Sequence, residues 1–156
     1  MEKIVLGSTG IHATRSGFGA LPVQRLSKEE AARLLRRAYD SGINFFDTAN
    51  AYTDSEEKIG MALADVRRNL FIATKTGSST PDEFWKHLEL SLTRMKTDYI
   101  DIYQFHNPAK MPSDEMMSCM IKAKAQGMIR HIGVTAHRLD TALTEIESGA
   151  FETMQF

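Results

Sequence analysis

A carboxylate, a phenol, an ammonium and an imidazole stand where successive strand-like runs of this chain stop. Asp47 closes Ile43-Asn44-Phe45-Phe46, and Tyr52 follows just ahead of a helix signal. Lys75 closes Leu70-Phe71-Ile72-Ala73-Thr74, and His106 closes the run from Tyr99 to Phe105. Brought to one rim, the four make a proton-transfer site. Burying an unpaired ammonium is costly, so a lysine ending an apolar strand calls for a partner or a task. Beside a phenol it favours the phenolate, so Lys75 is expected to lower the Tyr52 pKa and make Tyr52 a better acid near neutral pH. Asp47 can pair with Lys75 and keep it charged, and His106 can donate to a substrate oxygen on which negative charge develops. These parts suit protonation of a carbonyl oxygen while another group attacks its carbon. Singly, each residue also has a structural reading: a loop-capping carboxylate, a packed aromatic, a lysine snorkelling to water, and a histidine ordering the Asn107-Pro108 loop.

The elements that must position these groups alternate with little left over. Lys3–Leu6 and Ile11–Arg15 flank Gly7-Ser8-Thr9-Gly10 and read as a hairpin over residues 1–15. Ser16–Ala20 is a glycine-rich first strand. Ser27 and Glu30 then offer a capping box for a helix whose apolar face is Ala31, Leu34, Leu35 and Ala38, with Gly42 as its stop. The unit recurs. Strand 43–47 leads to a helix over about 54–66 with Glu57 in a second capping box, and strand 70–75 leads to a helix opened by Thr80-Pro81-Asp82-Glu83. Strand 99–105 leads to a helix between Ser113 and Gly127, strand 129–135 to a helix near 139–148, and Phe151–Phe156 starts a sixth strand. Such alternation gives a parallel sheet covered by helices, either a (β/α)8 barrel or an open doubly wound sheet. Gly17-Phe18-Gly19-Ala20-Leu21-Pro22 lacks the third glycine of a dinucleotide fingerprint, which counts against the open sheet. Polar residues ending several successive strands fit a barrel, whose active sites lie on the C-terminal rim.

Composition narrows the classes of function. The chain has 156 residues, is 42% hydrophobic and carries a net charge of −1, so one globular unit is expected. Its 19 basic residues form no block of the kind that binds nucleic acid. No apolar run approaches a bilayer span, and Met1–Gly7 has no apolar signal core, so the expectation is a cytoplasmic protein without membrane partners. Cys119 is the sole cysteine, which leaves no disulfide and no cysteine-built metal or iron–sulfur site within the chain. The histidines show no H-x-H or H-E-x-x-H spacing, and no metal site is expected. His12, His87 and His131 read as structural, and the nine methionines as core filler.

Gly42-Ile43-Asn44-Phe45-Phe46-Asp47-Thr48-Ala49 followed by Tyr52 closely resembles the signature of the aldo/keto reductase family. So does the order Asp47, Tyr52, Lys75, His106, with Asp98-Tyr99-Ile100-Asp101-Ile102-Tyr103 leading to the histidine. The segments 21–26 and 51–56 resemble the bacterial branch often fused to a C-terminal iron–sulfur domain. The resemblance implies hydride transfer from NADPH, or alternatively NADH, to a small aldehyde or ketone. Tyr52 would be the proton donor, Lys75 and Asp47 its tuning pair, and His106 the group orienting the carbonyl. Gly19, Ala20 and Asp47 match positions lining the nicotinamide end. Thr135-Ala136-His137 stands where many members have Ser-Asn, and Gln155 matches a glutamine that reaches the carboxamide.

A whole barrel takes about 250 residues. The resemblance therefore implies one partial TIM-barrel domain over 1–156, truncated after about five βα units and the start of strand six. The family's adenosine-phosphate contacts would then lie beyond Phe156. Unclosed first and last strands would invite self-association. The 156-residue fragment by itself is expected to have weak or no activity, and a non-catalytic cofactor-binding or regulatory module, or an inactive truncated product, stands as the alternative reading.

Overall fold

The computed structural model describes residues 1–156. An antiparallel hairpin, β1 (Lys3–Val5) and β2 (His12–Thr14), precedes six parallel strands. These are β3 (Phe18–Gly19), β4 (Phe45–Asp47), β5 (Phe71–Thr76), β6 (Ile100–His106), β7 (Ile129–Thr135) and β8 (Thr153–Gln155), paired in that order. After a 3-10 turn at Leu21–Arg25, helices α1 (Lys28–Asp40), α2 (Ser55–Leu63), α3 (Pro81–Met95), α4 (Asp114–Ala125) and α5 (Leu139–Glu147) make the connections. The result is a curled parallel half-barrel in which β3 and β8 each keep one unpaired edge.

Local chemistry explains most boundaries. Ser27 Oγ accepts from the Glu30 amide at 3.2 Å while Glu30 Oε2 accepts from the Ser27 amide at 2.9 Å, the expected capping box. Thr80 and Ser113 cap α3 and α4 in the simpler manner, each accepting from the amide three residues on. Gly42, at φ +98°, turns the chain out of α1 in a conformation that suits glycine. The second expected capping box does not form. Asp54 makes no cap bond and instead pairs with buried Lys58 at 2.8 Å, a competing charged partner. The helix expected over 54–66 also stops at Leu63 and tightens into a 3-10 turn over Ala64–Asn69. That turn lets Arg67 reach Asp101 at 2.7 Å and the carbonyls of Leu70 and Tyr99, so a tertiary ion pair overrides helical continuation.

Strand alternation sorts the side chains between two faces. Phe46 and Ile72 share one side, and so do Thr76, Phe105 and Val134. That side packs on the helices through Leu35, Ile59, Leu63, Phe84, Leu88 and Met120 to form the main core. Fully burying side chains of this size contributes about 1.5–3 kcal/mol each. The opposite, concave face carries Ala73 and Ile102, covered near its base by Ile11 and Ala13 of the hairpin. Along the register Asp47↔Ala73, Lys75↔Gln104 and His106↔Thr135↔Gln155, the polar strand ends fall on this same concave face.

Candidate active site

Lys75 is the centre of the rim. Its side chain is 3% exposed, and Nζ donates to Asp47 Oδ1 and Oδ2, both at 2.7 Å, and to the Thr48 carbonyl at 2.6 Å. Three donors meet three acceptors, which is how a buried ammonium is tolerated. Two bonds beyond the end of β4 fix these acceptors. The Thr48 amide donates to Ala73 O at 2.9 Å, and the Asn50 amide donates to Lys75 O at 3.0 Å. The segment after β4 therefore continues to pair with β5 before it turns away.

That turn delivers Tyr52. Its amide donates to Ala49 O, its carbonyl accepts from the Ser55 amide at the start of α2, and Thr53 takes φ +42° between them. The centroid of the Tyr52 ring lies 5.6 Å from Lys75 Nζ. The His106 ring stands edge-on to it, with centroids 5.6 Å apart and planes at 78°. The sequence-designated group of Asp47, Tyr52, Lys75 and His106 thus converges on one place.

The electrostatics differ from expectation in one respect. The Tyr52 phenol lies above its ordinary pKa, first because it is partly desolvated and second because the Asp47 carboxylate disfavours a phenolate. The expected lowering by Lys75 is absent because Asp47 already neutralises that ammonium. Burial lowers Lys75 itself, against the opposing pull of Asp47. Burial also lowers His106, reinforced by the charge on Lys75, so the imidazole is predominantly neutral at pH 7.

Beyond His106 the rim is cross-tied. The Asn107 amide donates to Thr135 Oγ1 at 2.9 Å, and Asn107 Oδ1 accepts from the His137 amide at 3.0 Å. Asn107 holds φ +52° to do so. Thr135 is buried, whereas the His137 and Gln155 side chains are exposed. The Gln155 carbonyl accepts from the Ala136 amide at 3.0 Å, which fixes the end of β8 beside β7. At the other side Gly19 pairs with Asp47, and nothing lies within 4 Å of where a Cβ on Gly19 would stand. That leaves open space over the Gly19 backbone beside Asp47. A cleft of 540 Å³ opens next to His106, between the loops that follow β5 and β6.

Several contributors escaped sequence reasoning. The Thr48 carbonyl is a backbone group with no sequence signal. Glu56 is buried and accepts from Thr74 Oγ1 at 2.7 Å, while adjacent Glu57 is only partly buried and pairs with Lys28. Nothing in the sequence tells these two acids apart. Cys119 is buried and its thiol is raised by burial, in keeping with a packing role.

A half-barrel of parallel strands with an ion-paired lysine, a phenol and a neutral imidazole on its C-terminal rim defines a barrel-type α/β protein equipped for acid–base chemistry. Comparison with known proteins makes the class specific. The profile of the Aldo/keto reductase family matches residues 3–147. The uncharacterized oxidoreductase YqkF of Bacillus subtilis is 33% identical over 153 residues, covering 88% of this chain and 50% of YqkF. The holo form of aldo-keto reductase AKR11C1 from Bacillus halodurans superposes with a TM-score of 0.88 at 27% identity, covering all of this chain and 58% of that one. An aldo/keto reductase from Klebsiella pneumoniae, in complex with NADP and acetate, gives 0.81 at 26% identity over 92% of this chain and 53% of its own. This chain belongs to the aldo/keto reductase family. It spans about half the length of the curated relatives it matches.

Proposed function

We propose that the rim performs the acid–base part of carbonyl reduction, converting a small aldehyde or ketone to an alcohol with NADPH as the reductant. The observation that carries this reading is Lys75, buried and fully paired, beneath a phenol that lies edge-on to a neutral imidazole. A Klebsiella pneumoniae neighbour bound to NADP supports the choice of cofactor. Gly19, Ala20, Thr135, His137 and Gln155 would hold the nicotinamide end alongside Asp47, and the group supplies a hydride when bound.

The chain's own residues do the rest. Neutral His106 donates a hydrogen bond to the carbonyl oxygen and holds it near the Tyr52 hydroxyl. Tyr52 gives its proton to that oxygen as negative charge develops there. Its raised pKa keeps the proton on the phenol until the oxygen becomes basic. Lys75 keeps the Asp47 carboxylate paired, so that anion weighs less on the phenolate that remains, and Asp47 in turn fixes the ammonium in place. The half-buried rim limits water around these groups, which strengthens each interaction.

The test is turnover of aldehydes and ketones by this chain, followed by loss of nicotinamide absorbance. Tyr52→Phe should lower kcat by about 10²–10⁴-fold, the usual worth of a positioned general acid. NADPH affinity should stay nearly unchanged. Turnover in the variant equal to wild type would sink the mechanism.

The unpaired edges of β3 and β8 favour a second reading, a cofactor-binding or inactive module that self-associates through them. NADPH titration joined to a mass measurement in solution separates the two. Binding with turnover supports the reductase. A self-associated species that binds without turnover, or does not bind, supports the module.

A further inference from the structure

Around the segment that carries Tyr52 runs a closed ring of hydrogen bonds. Thr74 Oγ1 on β5 donates to Glu56 Oε1 at 2.7 Å. Arg94 Nη1 on α3 donates to Glu56 Oε2 at 3.3 Å and to the Asn50 carbonyl at 3.2 Å. The Asn50 amide donates to the Lys75 carbonyl at 3.0 Å, and Lys75 follows Thr74 in the chain, so the ring closes. Asn50 Nδ2 adds a bond to Ser91 Oγ at 3.3 Å, again on α3. Helices α2 and α3 are in backbone contact where Gly60, one turn after Glu56, faces the Arg94 and Met95 main chain.

Glu56 is 1% exposed, and burying a carboxylate with an arginine is weak evidence for stability. An apolar residue of similar volume would serve the packing as well. The preference of helix N-termini for acids does not explain it either, since Glu57 satisfies that while its side chain stays 42% exposed. What the ring does accomplish is geometric. It ties Asn50, two residues before Tyr52, to both β5 and α3.

We propose that Glu56, acting with Arg94, is a positioning residue that holds the Asn50–Tyr52 segment against β5 and so sets where the Tyr52 ring stands relative to Lys75 and His106. Its catalytic consequence rests on the carbonyl-reduction reading above, but the positioning itself does not. Without the ring, the segment keeps its backbone bonds to β5 and α2 and the Asn50 Nδ2 bond to Ser91, and the Tyr52 ring is no longer held against His106.

His106 therefore reports the effect. Its surroundings include the charges of Lys75, Asp47 and His137 but neither Glu56 nor Arg94, so a change in its titration signals displaced neighbours. Imidazole NMR titration of this chain, with the His106 signal assigned through His106→Gln, should show the midpoint rising toward an ordinary histidine value in Glu56→Gln. Arg94→Gln removes the partly exposed partner and should do the same if Glu56→Gln fails to fold. Arg94→Lys, which can keep the ion pair, should restore part of the effect. Turnover should fall about 10–100-fold in kcat with KM little changed, as expected for a misplaced catalytic group. An unmoved His106 midpoint in a folded Glu56 or Arg94 variant would overturn the proposal. Wild-type turnover in Tyr52→Phe together with a moved midpoint would instead remove the reductase reading and leave the positioning standing.

Discussion

Replacing Asp47 with alanine should cost more stability than replacing Lys75 with methionine, although both break the same ion pair. The asymmetry comes from exposure: the Lys75 side chain is 3% exposed and that of Asp47 20%. In Asp47→Ala the ammonium keeps only the Thr48 carbonyl, losing two of its three bonds. An uncompensated buried charge of this kind costs about 3–5 kcal/mol. In Lys75→Met the carboxylate can turn to water and the buried desolvation disappears, so the net change should be within about 1 kcal/mol of zero. Urea unfolding at pH 7, monitored by circular dichroism, measures both. The pH dependence supplies a second check. In Asp47→Ala the folded-state pKa of Lys75 is further depressed below its unfolded value. The unfolded chain then binds more protons near neutrality, so stability should rise as pH is raised from 7 toward the unfolded lysine pKa. Equal losses in the two variants, with no recovery at high pH, would show that Lys75 is solvated and would refute the burial argument.

Two further outcomes follow from packing. Glu145 on α5 is 0% exposed, and neither carboxylate oxygen has a hydrogen-bond partner, so burial raises its pKa. A raised acid contributes stability below its unfolded pKa and loses it as pH rises through the folded value. Glu145→Met should therefore stabilise the chain by about 1–2 kcal/mol at pH 7, with less gain at pH 4, in urea titrations at the two values. No gain at pH 7 would mean that the carboxylate is hydrated. Gly60→Ala would place a methyl 2.8 Å from Met95 Cα, a backbone atom that cannot yield easily. It should cost at least about 1–3 kcal/mol and lower the melting temperature measured by calorimetry. An unchanged melting temperature would show that α2 and α3 are not in backbone contact there.

Much of the fold was legible because it rests on local chemistry. The Ser27–Glu30 box, the Thr80-Pro81 start of α3 and the Gly42 stop are short-range signals, and each acts where the residues suggest. The end of α2 was not legible. Arg67 leaves α-helical geometry for a 3-10 turn that reaches Asp101, a residue distant in sequence. The same division runs through the site. Asp47, Lys75 and His106 could be named because strand ends are visible as the ends of apolar runs. Their convergence on one face follows from the period of two and the parallel register. The sign of the Tyr52 shift could not be read, because it depends on Asp47 occupying the Lys75 charge and on how far the phenol leaves water.

The residue types and their order along the chain therefore determined which groups are available, which strands end in them, and the family to which they belong. Only the tertiary structure decided that Lys75 would spend its charge on Asp47, that His106 would be neutral, and that Glu56 rather than Glu57 would be buried. The reason is physical. Propensity and patterning act between near neighbours in the sequence, whereas desolvation and ion pairing depend on which distant segments close around a group.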